Sequence, residues 1–306
     1  MTRLGYLGPS GTFAEAALLS MPRAADAELV PAASVTTALE AVRSGEVDAA
    51  LVPIENSVEG SVSATLDELG FGEPLVIIDE VALPVRFSLL GRPGTEMSAV
   101  RTLATHPHAA AQCRAWIETH LPGVRAIPAA STAGAAAALW NDPQPYDAAI
   151  AQRIAADRYD LAVLADGIED NEEASTRFVL VARPGQLPPR TGADKTTLML
   201  FMRMDHAGAL LEILTEFAVR GINLTRLESR PTKKVLGDYY FSVDLEGHVT
   251  EARVGEALMG LRRVCAQVRF LGSYPRHDGR EPVIRSGVSD EDFADAQRWL
   301  RSVQGR

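Results

Sequence analysis

Cysteine is scarce in this chain: two residues among 306, Cys113 and Cys265, far apart in the sequence. Two distant thiols build no disulfide framework, so a reducing cytoplasm is the expected setting. Long apolar runs are missing as well. No stretch approaches the ~20 residues that span a bilayer. The opening segment, from Met1 to Pro9, reads as a short strand meeting a turn and lacks the long apolar core of a signal peptide. Basic residues are in deficit, 30 Lys and Arg against 40 Asp and Glu, for a formal net charge of -10 and a pI near 5.2. A field of that sign repels phosphate and argues against nucleic acid or anionic membrane as the main partner. No lysine follows the glycine of Gly8-Pro9-Ser10-Gly11-Thr12-Phe13, which excludes a phosphate-binding P-loop, and the glycine spacing fails the dinucleotide fingerprint. Repeats are absent.

What is present is an ordinary globular composition, 46% hydrophobic and 23% charged, in a chain long enough for two or three domains. Its first part alternates strand and helix patterns. Leu4 to Leu7 reads as a strand, and Ser10 is placed to cap a helix from Thr12 to Leu19. A helix from Thr37 to Arg43, a strand from Val47 to Val52 and a helix from Val62 to Leu69 follow. A second lobe starts near Pro74, with the strand Leu75 to Ile78 and an apolar continuation from Val81 to Leu90. Then come a helix near Ala109 to Thr119, an alanine-rich helix from Ala133 to Trp140 and a strand from Ala148 to Ala151. Alternating βα units predict an open, mainly parallel sheet in each lobe, with ligands at the carboxyl ends of the strands. Ser175-Thr176-Arg177-Phe178 leads into a buried strand, Val179 to Ala182, and a Pro/Gly-rich break begins at Arg183.

After residue 195 the pattern changes. Thr196 to Arg203 is a strand, Asp205 to Gly208 a turn, and Ala209 to Arg220 a helix. Ile222 to Arg230 and Gly237 to Leu245 are strands, Thr250 caps a helix to Arg262, and Ala266 to Leu271 closes the unit. That βαββαβ order is ferredoxin-like. Domains are therefore expected at 1–185, with two lobes, and at 195–275, followed by a polar tail at 276–306. In the tail, Asp290 to Val303 reads as one amphipathic helix.

Several short motifs carry polar chemistry at such loop positions. A hydroxyl beside a guanidinium, Thr176 and Arg177, suits an anionic ligand that must receive a proton. The plain alternative is a loop that starts a strand. Thr12 opens a helix whose free amides attract a carboxylate, Asn56 and Ser57 can orient a polar substrate, and Ser131 and Thr132 stand at another helix start. Simple turns explain the first two equally well, and simple N-capping is the favoured reading of Ser131 and Thr132. His106-Pro107-His108 with Cys113 looks like a metal cluster, but no fourth ligand has useful spacing, so no metal is expected. Gly208-Ala209-Leu210 opens a helix of the last unit, and Glu228-Ser229-Arg230-Pro231 ends one of its strands.

Taken in order, Gly-Pro-x-Gly-Thr-Phe at 8–13, Pro-Ile-Glu-Asn-Ser at 53–57, Ser-Thr-Ala at 131–133 and Thr-Arg-Phe at 176–178 resemble the prephenate dehydratase family. Gly-Ala-Leu at 208–210 and Glu-Ser-Arg-Pro at 228–231 resemble the regulatory ACT domain that follows it. Each motif is weak alone, while the ordered set, spanning roughly residues 1 to 275, is specific. The chain departs from the family pattern twice. His108 stands where the family often has Gln, and Ala174 where it often has Asn, a role then expected of Asn171 or Ser175.

The resemblance implies a catalytic region of two lobes like a type II periplasmic-binding protein, with the site in the cleft and the chain returning to the first lobe near Thr176. It implies decarboxylating dehydration of prephenate to phenylpyruvate without a cofactor. Thr176 would supply a hydrogen bond to the departing hydroxyl. Arg177 and the amides near Thr12 would hold the side-chain carboxylate, Phe178 would form an apolar wall, and Asn56 and Ser57 would orient the substrate. Ser131 and Thr132 join the substrate-binding set. L-Phenylalanine would bind the ACT domain between the subunits of a homodimer or homotetramer. Gly208, Ala209 and Leu210 would meet it from one subunit and Asn223 and Leu224 from the partner, with Glu228, Ser229 and Arg230 as the link to the lobes. The remaining alternatives are arogenate dehydration and a non-catalytic amino-acid sensor. A chain ending near Gly192 is expected to keep activity and lose regulation.

Overall fold

The computed structural model describes residues 1–141, 143, 145–203, 206–233 and 238–305. Asp205, at the head of the predicted turn, and Gly237, at the head of a predicted strand, lie outside them. The chain packs as two compact units, Met1–Glu68 with Val81–Leu180, and Leu69–Glu80 with Val181–Arg306. Its elements run in chain order β1 (Arg3–Leu7), α1 (Phe13–Leu19), β2 (Glu28–Ala32), α2 (Val35–Ser44), β3 (Ala49–Asn56), β4 (Gly60–Ser61), α3 (Ser63–Phe71) and β5 (Val76–Pro84). Next come β6 (Ser88–Gly91), β7 (Thr102–Thr105), α4 (Pro107–Gln112), α5 (Arg114–His120), β8 (Arg125–Pro128), α6 (Thr132–Ala137), β9 (Ala148–Ala151), α7 (Ile154–Tyr159), β10 (Ala162–Asp166) and β11 (Ser175–Ala182). The rest is β12 (Asp194–Phe201), α8 (Ala209–Ala218), β13 (Leu224–Pro231), β14 (Tyr239–Glu246), α9 (Ala252–Val264), β15 (Gln267–Pro275) and α10 (Asp290–Val303).

The first unit holds two lobes. One is built on the order β2-β1-β3-β11-β5, so β11 returns late in the chain to the middle of the first sheet. β1 pairs with β2 and β3 in parallel. Ala49 to Val52 of β3 are all buried, as expected of a strand covered on both faces. Helix α2 buries Val35, Ala38, Leu39 and Val42, the spacing of one helical face.

The second lobe has the order β10-β6-β9-β7-β8 and is mixed, which corrects the expectation of a mainly parallel sheet. β7 pairs in parallel with β8 and β9, whereas β6 pairs antiparallel with β9 and β10. The direction of β6 is set by its arrival from β5 through three residues, not by a helical crossover. Five elements carry no strong pattern in the sequence: β2, β7, β8, β10 and α7. Three of these strands are sheet edges, where burial is one-sided or slight; β8 buries no residue.

Several boundaries move for local reasons. Thr12, not Ser10, caps α1; its Oγ1 accepts from Glu15 N at 3.3 Å, while Ser10 Oγ bonds the Tyr6 hydroxyl at 3.0 Å. The predicted helix over 109–119 breaks at Cys113, whose φ of −116° and ψ of 14° end α4 and begin α5. Glu251, not Thr250, precedes α9, and the Thr250 hydroxyl bonds His248 Nδ1 at 2.8 Å instead. Ser175 to Phe178 belong to β11 itself rather than to a loop before it.

The second unit contains the βαββαβ fold, with strand order β13-β14-β12-β15 and antiparallel pairs throughout. Phe217, Ile213, Leu261 and Val254 of its helices pack on Leu198, Val243 and Leu245 of one sheet face. Polar residues buried on strands include Thr197, whose Oγ1 bonds both Asp244 at 2.8 Å and Tyr274 at 2.6 Å. Residues 69–80 belong to this unit. Phe71 packs edge-on against Phe201 and Tyr240, Arg269 donates to Gly70 O at 3.0 Å, and Lys195 bonds Glu80 at 2.9 and 3.0 Å. In the tail, α10 spans the predicted residues and starts on a capping box of Ser289 and Asp292.

Candidate active site

A cavity of about 360 Å³ opens within the first unit, at the ends of β1, β3 and β11. Strand alternation decides which residues of β11 reach it. Thr176 and Phe178 line the cavity, and Arg177, between them, does not. Arg177 is buried and its Nη1 lies 3.2 Å from Glu55 Oε2 on β3, so it braces the two strands. This corrects the expectation that its guanidinium faces a bound carboxylate.

Asn56 ends β3 and holds the site together. Its Nδ2 donates to Thr176 Oγ1 at 2.9 Å, and its Oδ1 accepts from the N–H of Val58 and Glu59 at 2.8 and 3.0 Å. An asparagine closing its own turn in this way has no rotational freedom left for its amide. The Thr176 hydroxyl is used as an acceptor by Asn56, so its hydrogen is available to the cavity. Ser57 does not line the cavity. It ties the same turn to β11, its N–H donating to Ser175 O and its Oγ accepting from Ser175 N, both at 2.9 Å.

Three helices begin at the cavity. Thr12, His106 and Ser131 cap α1, α4 and α6, and all three line it, as does Thr132. The positive ends of three short helices therefore face one space, which favours an anionic occupant. The loop before α1 is tightly built. Gly11 has φ of +84°, and a Cβ there would come 3.1 Å from Ala155 of α7. Both its conformation and its surroundings require glycine. Leu7, Phe13, Val85, Phe87 and Phe178 make an apolar wall, with Phe13 edge-on to Phe87 at 5.3 Å.

Other lining residues escaped the sequence reading of the site. Gln112 presents a buried Oε1 with no hydrogen-bond partner among the described residues. His108, read from the sequence as a discounted metal ligand and as a departure from the family's Gln, has Nδ1 2.7 Å from Glu59 Oε1, and its ring lies edge-on to His106. Sequence spacing had no means of pairing Glu59 with His108, because they come from different lobes. Cys113 is buried in the apolar core, and burial pushes its thiol up to about 12. No group of three or more His, Cys, Asp or Glu among the described residues is arranged to hold a metal. Ala174 lies in the same core. Neither Asn171 nor Ser175 lines the cavity; Asn171 Oδ1 accepts from Glu173 N at 3.0 Å.

The second unit has its own cavity, of about 370 Å³, at the start of α8. Gly208, Ala209, Leu210 and Ser229 line it, with Tyr239 and Phe241. Asn223, Leu224, Glu228 and Arg230 do not. Leu224 packs in the core, Asn223 O accepts from Glu246 N at 3.0 Å, and Glu228 pairs with Arg230 at 2.9 Å, Arg230 also reaching the Tyr240 hydroxyl at 3.2 Å. Gly208 caps α8 with φ of +95°, and a Cβ there would meet no described residue within 4 Å. Its backbone conformation, rather than a close approach, is what requires glycine.

A family model described as prephenate dehydratase matches residues 4–186, and one described as ACT domain matches residues 196–263. A protein of Amycolatopsis methanolica named prephenate dehydratase is 50% identical over 305 residues, covering 99% of this chain and 98% of its own. The crystal structure of a prephenate dehydratase from Arthrobacter aurescens in complex with L-Phe superimposes with a TM-score of 0.95 at 52% identity, covering 100% of both chains. The structure of GqqA, described as a novel type of quorum quenching acylase, superimposes with a TM-score of 0.79 at 31% identity, covering 89% of this chain and 97% of that one.

Proposed function

The chain belongs to the prephenate dehydratase family, with an ACT domain in its C-terminal part, and from that premise we propose how its own residues carry the reaction. The enzyme is a lyase that converts prephenate, with one proton, to phenylpyruvate, carbon dioxide and water. The bond to the ring carboxylate breaks, its electron pair completes the aromatic ring, and the ring hydroxyl leaves as water. Aromatisation supplies the driving force, so the protein's task is to help a poor leaving group depart.

The observation that carries this reading is Thr176 in the cavity with Asn56 Nδ2 2.9 Å from its Oγ1. Asn56 fixes the hydroxyl so that its hydrogen bonds the departing oxygen, a positioned donor rather than a strong acid. Arg177 we assign to bracing β11 against β3, and Ser57 to closing the turn that carries Asn56. The helix starts at Thr12 and Ser131, with Thr132, receive the side-chain carboxylate. Phe178 and the neighbouring apolar wall surround the ring carboxylate, where a water-poor setting favours its loss. The Gln112 amide is a further contact for the substrate's polar groups.

L-Phenylalanine is the effector of this reading, bound at the cavity that begins α8. Gly208, Ala209, Leu210 and Ser229 meet it there, and Asn223 and Leu224 reach it from a second copy of the chain in a homo-oligomer. The two free, buried cysteines fit a cytoplasmic protein. The test is direct: purified protein is incubated with prephenate, and phenylpyruvate is followed by its ultraviolet absorbance, with and without L-phenylalanine. Formation of phenylpyruvate that L-phenylalanine modulates is expected. No product would refute the catalytic reading, and a rate indifferent to the amino acid would refute the regulatory one.

A further inference from the structure

Among the described residues that line the cavity holding Thr176, one is a carboxylate, Glu59, and none is a lysine or arginine. Glu59 stands on the turn that Asn56 closes, so it belongs to the loop that sets the reacting hydroxyl. From the other lobe, His108 brings Nδ1 to 2.7 Å from Glu59 Oε1. At that distance the nitrogen has to carry hydrogen, because a carboxylate only accepts. The neighbouring ring, His106, has its Nδ1 3.3 Å from His108 N. Glu59 and His108 are both exposed, so the pair adds little to stability. Its consequence lies in what can enter.

A bare carboxylate at this place attracts an ammonium and repels an anion. Prephenate and arogenate share a ring and two carboxylates, and differ in a keto group replaced by an ammonium. We propose that the Glu59–His108 pair sets the preference between them. By donating to Glu59, His108 occupies the acceptor that an ammonium would need. This is discrimination by withholding a contact as much as by making one. The inference rests on the reaction proposed above.

The test compares kcat/KM for prephenate and arogenate in the wild type, His108→Ala, Glu59→Gln and the double variant. The wild type is expected to prefer prephenate. His108→Ala should move the ratio toward arogenate by about three- to fivefold, the upper end of what an exposed pair contributes. Most of that change should appear in KM. Glu59→Gln should not move the ratio toward arogenate, and in its background His108→Ala should have less than about twofold effect, since the histidine acts through the carboxylate. His108→Leu repeats the test should the alanine variant fold poorly by thermal unfolding. A wild type that prefers arogenate, a ratio unmoved in both histidine variants, or an equal shift without Glu59 would overturn the proposal. A wild type that converts neither compound refutes the reaction itself, a different outcome from prephenate turnover with an unmoved ratio.

Discussion

At Thr176 a hydroxyl hydrogen is the whole chemical contribution, and one amide makes it usable. Thr176→Ala should therefore lower kcat by roughly 10²–10⁴-fold with little change in KM, the scale for losing a positioned donor. Steady-state kinetics decide this, and near-normal turnover would remove Thr176 from the mechanism. The thiols make the opposite case. Cys113 and Cys265 are each nearly fully buried, and burial pushes them up to about 12 and about 11. The thiolate is the reactive form, so a thiol-titrating reagent at pH 8 should label neither residue in the native protein within minutes and both after denaturation. Fast labelling of the folded protein would show that the core around α4 or α9 opens.

Among the elements, α8 starts on a single left-handed backbone position. Gly208 holds φ at +95°, a region costly to a β-branched side chain. Gly208→Val should destabilise the protein by about 1–3 kcal/mol and abolish the response to L-phenylalanine while leaving basal activity. Calorimetry should show no binding of the amino acid, and full-affinity binding would place the effector elsewhere. Strand β11 teaches a second lesson. Its polar start looks like a loop in the sequence because alternate residues face a cavity instead of a core. The pattern hid the strand, yet the alternation itself delivers Thr176 and Phe178 to the site and turns Arg177 away.

For the molecule as a whole, the C-terminal unit is more than an appendage after the break at residue 183. Residues 69–80 pack within it, and Lys195, 6% exposed, pairs with Glu80, 4% exposed. The backbone at Gly272 runs so close to Ile77 that an added Cβ would lie 2.2 Å from its carbonyl oxygen. A chain ending at Gly192 would lose the strands that cover residues 69–80, removing the partner of Glu80 and leaving Phe71 and Ile77 open to water. Such a chain should melt well below the full-length protein and lose activity with its fold, contrary to the sequence-based expectation of an active, unregulated fragment. A truncated protein with an unchanged melting temperature and full turnover would show that this packing is dispensable.

The sequence by itself determined the βαββαβ unit, the helix over 290–303 and the ordered motifs that mark the family, because each rests on local periodicity or on neighbours in the chain; it did not determine the full succession of elements in the first unit, where β2, β7, β8, β10 and α7 carry no strong pattern. It also placed Thr176 and Asn56 among the candidates, since their residue types speak for themselves. Only the tertiary structure decided that they touch, 120 residues apart. It alone faced Arg177 to Glu55, brought His108 to Glu59 and left Gln112 Oε1 buried without a partner among the described residues. The physical reason is the same in each case: a side chain's direction is set by strand register and by which lobe meets which, and these are properties of non-local pairing that no stretch of chain contains.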